Sequence, residues 1–143
     1  MNRKVVKNSI YFEIVETELK QGKDVLIPIR GNSMLPFFKD SQRIAIKPFV
    51  KSKISKGDVI IARWNGQVIL HRLVHRKHNQ LHLAGDNNLG LIEKVSEGDV
   101  IGVAKGYYNK KNIFKNITII DRSVGLLWFY LRPLRIIYKK IIK

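Results

Sequence analysis

Asn65-Gly66 divides two runs, Val59 to Trp64 and Gln67 to Arg76, that are rich in β-branched and long apolar residues. Asn and Gly both accept positive φ, so the pair predicts a tight turn and commits residues 59–76 to an antiparallel hairpin. The same pattern recurs along the chain. Val25 to Ile29 reads as a strand, and Gln42 to Lys47 alternates polar and apolar residues before stopping at Pro48. A second hairpin is expected to turn near His78-Asn79 and return through Leu81 to Ala84, where Gly85-Asp86-Asn87-Asn88 breaks it. Gly98-Asp99 opens Val100 to Ala104, and a further strand is read from Ile113 to Ile120. Short strands separated by turn signals predict a mainly β, mostly antiparallel domain.

Two segments break this pattern. Residues Ser9 to Lys20 carry an imperfect apolar stripe (Ile10, Phe12, Ile14, Val15, Leu19) and end at Gln21-Gly22, which predicts a short N-terminal helix. From Ser123 onward, Leu127, Leu131, Leu134, Tyr138 and Ile141 recur at helical spacing, while Arg132, Arg135, Lys139 and Lys143 share the opposite face. Pro133 is expected to kink or interrupt this helix. The division expected is a helical arm at 1–24, a β domain at 25–121 and an amphipathic basic helix at 122–143.

With 143 residues the chain has room for one domain with a real core, and not for two domains. The absence of cysteine excludes disulfides and thiolate metal sites. The charge pattern of Met1 to Lys20 is not that of a secretory signal peptide, and no run approaches the ~20 apolar residues that span a bilayer. A net charge of +16 implies an acidic partner, nucleic acid or an anionic membrane surface. The apolar, aromatic face of the C-terminal helix, backed by basic residues, favours the membrane surface through residues 122–143 over nucleic acid. The location expected is peripheral, on the cytoplasmic side, where the inner leaflet is anionic.

The residues able to carry chemistry are few. Arg30-Gly31-Asn32-Ser33-Met34-Leu35-Pro36 follows the first strand, and Pro36 blocks a simple continuation into helix. Ser33 therefore sits on a short turn between ordered elements. A serine nucleophile needs a base, and usually a third group that orients the base. The four histidines, His71, His75, His78 and His82, all lie in the second hairpin. A two- or four-residue loop at its tip puts His71 opposite Asp86 and His75 opposite His82, within about 4.5–5.5 Å between Cβ atoms. Asp86 would then hold the His71 tautomer. A three-residue loop would shift this pairing. A neutral lysine is the alternative base, and Lys47 and Lys105 are the candidates, although both flank polar turns. His75, His78 and His82 make a poor zinc set without a thiolate or carboxylate, and Arg72 and Arg76 beside them discourage a cation. No metal or cofactor is expected.

Taken together, Gly31-Asn32-Ser33-Met34-Leu35-Pro36, Lys56-Gly57-Asp58-Val59-Ile60, Leu70-His71-Arg72, Gly85-Asp86-Asn87-Asn88 and Gly98-Asp99-Val100-Ile101-Gly102 resemble the signal peptidase/LexA-type serine peptidases in order and spacing. The resemblance spans about residues 25 to 106 and is nearest the branch that uses histidine as base. It implies a coiled antiparallel sheet or partly open barrel, a groove that takes peptides as an added strand, Ser33 as nucleophile, His71 as general base and the Ser33 amide in the oxyanion hole. The third member of the triad is Asp86 first and Glu93 second. The chain departs from the pattern in three ways. The Gly-Asp after the serine box is Lys39-Asp40. The second acidic box is replaced by Leu89-Gly90-Leu91-Ile92-Glu93. Neither a spanning N-terminal segment nor a LexA-type helix-turn-helix precedes the core. The function expected is a serine endopeptidase that cleaves a precursor or leader peptide. The alternatives are a self-cleaving LexA/UmuD-like protein and a non-catalytic membrane- or nucleic-acid-binding module of the same fold.

Overall fold

The computed structural model describes residues 8–142. Helix α1, Asn8–Lys20, comes first, followed by strands β1 Val25–Pro28, β2 Arg43–Lys47, β3 Val59–Trp64, β4 Gln67–Lys77, β5 Gln80–Ala84, β6 Glu93–Ser96, β7 Val100–Tyr108 and β8 Phe114–Asn116. Helices α2, Ile119–Tyr130, and α3, Arg132–Ile141, complete the chain. The strands form one antiparallel sheet in the order β1-β2-β7-β3-β4-β5-β6, with β8 also paired to β7. The mainly β class and the N-terminal helix agree with the expectation.

Local chemistry sets the joints. Gly22 ends α1, with Lys23 N–H on the Glu18 carbonyl and Gly22 N–H on that of Leu19, the paired bonds of a Schellman stop. Asn65 and Gly66 both take positive φ, +49° and +74°, and close the β3–β4 hairpin with Trp64 opposite Gln67. Strand β3 is buried on both faces. Val59 and Ile61 join α1 residues Val15 and Leu19 and strand residues Ile27, Ile44 and Ile46 in one core. Ile60 and Ala62 face a second core of Leu73, Leu81, Leu83 and Val95. A central strand flanked by two cores needs apolar residues at consecutive positions, and Val59-Ile60-Ile61-Ala62 supplies them.

The end of the chain differs from its expected form. The strand read from Ile113 to Ile120 is only Phe114–Asn116. Thr118 caps α2 in a capping box with Asp121, which starts a helix before Ser123. The helix then breaks at Leu131, and α3 restarts with Pro133 in its first turn. The basic face is also reversed: Arg132 is 8% exposed and Arg135 is half-buried, both turned onto the β domain. The apolar positions Leu127, Leu134, Ile137, Tyr138 and Ile141 are exposed. No described helix is long and apolar enough to cross a bilayer.

Candidate active site

The Ser33 turn is fixed from both sides. Met34, 1% exposed, anchors it in the first core beside Ile29 and Phe38. The Phe38 N–H bonds the Met34 carbonyl at 2.9 Å, and Leu35 N–H bonds that of Asn32 at 3.2 Å. Asp40 accepts the Gly31 N–H at 2.7 Å. The aspartate of the divergent Lys39-Asp40 pair thus holds the start of the serine turn. On the other side, Asn87 N–H donates to the Ser33 carbonyl at 2.9 Å.

His71 lies on β4 opposite Ile60 and is 6% exposed. Its Nε2 stands 3.1 Å from Ser33 Oγ, and its Nδ1 stands 2.7 Å from Glu93 Oε1. Glu93 opens β6 opposite Leu83 and is 1% exposed. A carboxylate this buried needs a charged or hydrogen-bonding partner, and the imidazole is that partner. Serine, histidine and glutamate therefore stand in one hydrogen-bonded chain. With a proton on Nδ1 for Glu93, Nε2 presents its lone pair to the serine hydroxyl.

Asp86 does not join this hydrogen-bonded chain. The hairpin tip is the expected two-residue loop, with Lys77 opposite Gln80 and His75 opposite His82. A bulge between Leu73 and His75 then shifts the register by one, so that Leu73 meets Leu83 and Arg72 meets Ala84. A one-residue slip moves every later side chain to a different partner. Asp86 instead receives both arms of Arg72, Nε to Oδ1 at 2.8 Å and Nη2 to Oδ2 at 2.7 Å. Burial raises the Asp86 carboxyl above its ordinary range, and the Arg72 guanidinium pulls it back.

Arg72 ties together several of the sequence boxes. It is 3% exposed, donates Nη1 to the Gly57 carbonyl at 2.8 Å and sits over the Phe37 ring at 5.4 Å. Gly125 of α2 lies against it, and a Cβ there would collide with the Arg72 guanidinium. Gly85 is also confined, since a Cβ would come 2.7 Å from Asn88 Nδ2, 2.9 Å from the Ser33 carbonyl oxygen and 3.1 Å from His71 Nε2. Only glycine lets the Gly85-Asp86-Asn87-Asn88 turn close over the serine and histidine.

The C-terminal helices brace the same turn. Trp128 Nε1 and Arg135 Nη2 both donate to the Asp86 carbonyl, at 2.8 and 2.7 Å. Arg135 stacks 4.1 Å over the Trp128 ring, and Trp128 meets Phe37 edge-on. Arg132 donates to the Leu91 carbonyl at 3.1 Å. Burial and the nearby Arg135 lower the Arg132 pKa from its ordinary value. Arg72, Trp128, Arg132 and Arg135 were not assigned site roles from the sequence. For Arg72 the signal was its place beside His71 in a box whose partner box carries an acid.

The alternative bases lie elsewhere. Lys105 pairs with Asp24, and Lys47 ends β2 as an exposed residue. His75 and His82 stack at 5.0 Å, and among the described residues no three His, Asp or Glu side chains converge as a metal set. The model of the family described as Peptidase S24-like matches residues 3–105, which span the serine turn, both hairpins and Glu93. No curated protein matches the chain.

Proposed function

The chain belongs to the Peptidase S24-like family, and from that premise we propose that it is a serine endopeptidase of signal-peptidase type that cuts a precursor or leader peptide. The observation that carries this reading is the Ser33–His71–Glu93 hydrogen-bonded chain, with steps of 3.1 and 2.7 Å. Ser33 Oγ attacks the scissile carbonyl while His71 Nε2 takes its proton. Glu93 holds the Nδ1 proton and stabilises the imidazolium that forms. The imidazolium then protonates the departing amine, and water releases the acyl group by the same route in reverse. General acid–base transfer of this kind contributes roughly 10²–10⁴-fold. The Ser33 backbone N–H is the candidate oxyanion donor, and such a donor is worth about 2.7–4 kcal/mol.

Strand addition suits the substrate. β1 is an edge strand of the sheet and runs directly toward the Ser33 turn. An extended peptide paired along it would bring its backbone to the serine. Self-cleavage within α1 is the weaker reading. Val15 and Leu19 are buried in the first core, so a bond in that helix reaches Ser33 only if the core opens.

The test is labelling with a serine-reactive fluorophosphonate, followed by cleavage of a leader peptide library. Labelling at Ser33 that is lost in Ser33→Ala and His71→Ala, together with cleavage by the parent chain alone, is expected. A parent chain that is folded yet neither labels nor cleaves would leave a non-catalytic module of the same fold.

A further inference from the structure

The α2–α3 segment exposes an apolar surface that its own domain leaves uncovered. Leu134, Ile137, Tyr138 and Ile141 lie along one face of α3 and are 53–75% exposed. Ile120, Val124 and Leu127 extend the apolar surface along α2, each at least 45% exposed. Ordinary monomers do not leave so many large apolar side chains together in water. In most docked helices the apolar stripe faces the core, yet here the domain grips the opposite side through Gly125, Trp128, Arg132 and Arg135. The apolar stripe is thus held outward by specific hydrogen bonds.

Charge selects what covers it. From Ile119 to the end of the chain there are six Lys and Arg residues against one acid, Asp121, which is engaged in the Thr118 cap. Lys139 and Lys140 are exposed next to Tyr138 and Ile141, and Lys56 hydrogen-bonds the Tyr130 hydroxyl at the other end of the surface. A second copy would bring another chain of charge +16 against this one, with Asp121, already engaged by Thr118, as the one acid in the segment to meet it. Duplex nucleic acid would satisfy the lysines and leave the isoleucines wet. An anionic lipid surface takes both, burying the apolar side chains in the acyl boundary and placing lysines among the headgroups.

We propose that the exposed face of α2–α3 is a docking surface for anionic lipid, with Leu134, Ile137 and Ile141 inserting and Lys139 and Lys140 in the headgroup layer. This does not rest on the peptidase reading. The experiment uses the full chain carrying Ser33→Ala, sedimented with vesicles of phosphatidylcholine alone or mixed with phosphatidylglycerol. Binding to the mixed vesicles is expected, weakening with salt. Lys139→Glu with Lys140→Glu should reduce it roughly fivefold per lysine. Leu134→Asp, Ile137→Asp and Ile141→Asp together should reduce it by at least about tenfold. All five positions are exposed, so unchanged thermal unfolding should verify that each variant folds. The proposal fails if the parent ignores mixed vesicles, or if the triple variant binds them as the parent does. It also fails if the parent self-associates in velocity sedimentation without binding lipid and the triple variant is monomeric, which would make the face a contact between copies.

Discussion

His71 and Arg72 are consecutive on β4, and each holds a different buried acid: His71 meets Glu93 through Nδ1, and Arg72 takes Asp86 in a two-armed pair. Neighbouring strand residues point to opposite faces, so one dipeptide serves the hydrogen-bonded chain on one side and the structural clamp on the other. The two acids should therefore fail in different ways. Glu93→Gln is expected to keep the fold and to lower the cleavage rate by about 10²–10⁴-fold. Asp86→Asn leaves the Arg72 charge buried and unpaired, which should cost about 3–5 kcal/mol of stability. Urea unfolding beside single-turnover kinetics separates the two, and equal losses in both assays would refute the assignment.

Gly85 should prove intolerant out of proportion to its size. In Gly85→Ala the new methyl meets the Ser33 carbonyl and the histidine ring. Fluorophosphonate labelling of Ser33 should slow by at least about tenfold, as expected when a reacting pair is misplaced by a fraction of an ångström. Labelling at the parent rate would mean that the turn yields without disturbing the pair.

The brace on the Asp86 carbonyl can be loosened in steps. Trp128→Phe removes one donor and Arg135→Met the other, each expected to cost about 0.5–3 kcal/mol, with the arginine at the upper end as the charged donor. Amide hydrogen exchange should quicken at Asn87 and Asn88 in the double variant. Unaltered protection there would mean that the helices ride on the turn without stiffening it.

Glu16 fastens α1 to the sheet through Arg63 at 2.7 Å. The Arg63 hydrogen bond lowers the Glu16 pKa, against a smaller opposing effect of burial. A depressed acid contributes stability above its unfolded pKa and loses it as pH falls through the folded value. Glu16→Gln should therefore cost about 0.2–1 kcal/mol at neutral pH, since the pair is partly exposed. The gap should close only as the pH falls through the Glu16 pKa, which lies below the ordinary glutamate value, because the parent side chain is then neutral as well. A difference that persists in acid would place the effect in packing instead.

Much of this architecture can be read from residue patterns, and the misreadings share a cause. Asn65-Gly66 and Gln21-Gly22 declare themselves because their φ requirements are local. Ser33 and His71 stand out because few other residues can supply a nucleophile and a base. The bulge after Leu73 leaves no such mark: nothing in Leu73-Val74-His75 separates a regular strand from one that carries an extra residue, yet it decides which acid reaches His71. β6 leaves no strand signal because Glu93-Lys94-Val95-Ser96 has one apolar residue, and the burial of Glu93 arises from tertiary packing that no local pattern announces. Arg132 and Arg135 look like a solvated face until the backbone carbonyls that receive them are in place.

The contact of Trp128 and Arg135 with Asp86 has a bearing on when the molecule becomes competent. A ribosome delivers every strand of the sheet before it delivers α3. A nascent chain halted short of Trp128 would already hold serine, imidazole and glutamate, but the turn that closes over them would lack both of these fasteners. The stiffening of the turn over the serine thus waits on two helices that are made only after every strand of the sheet.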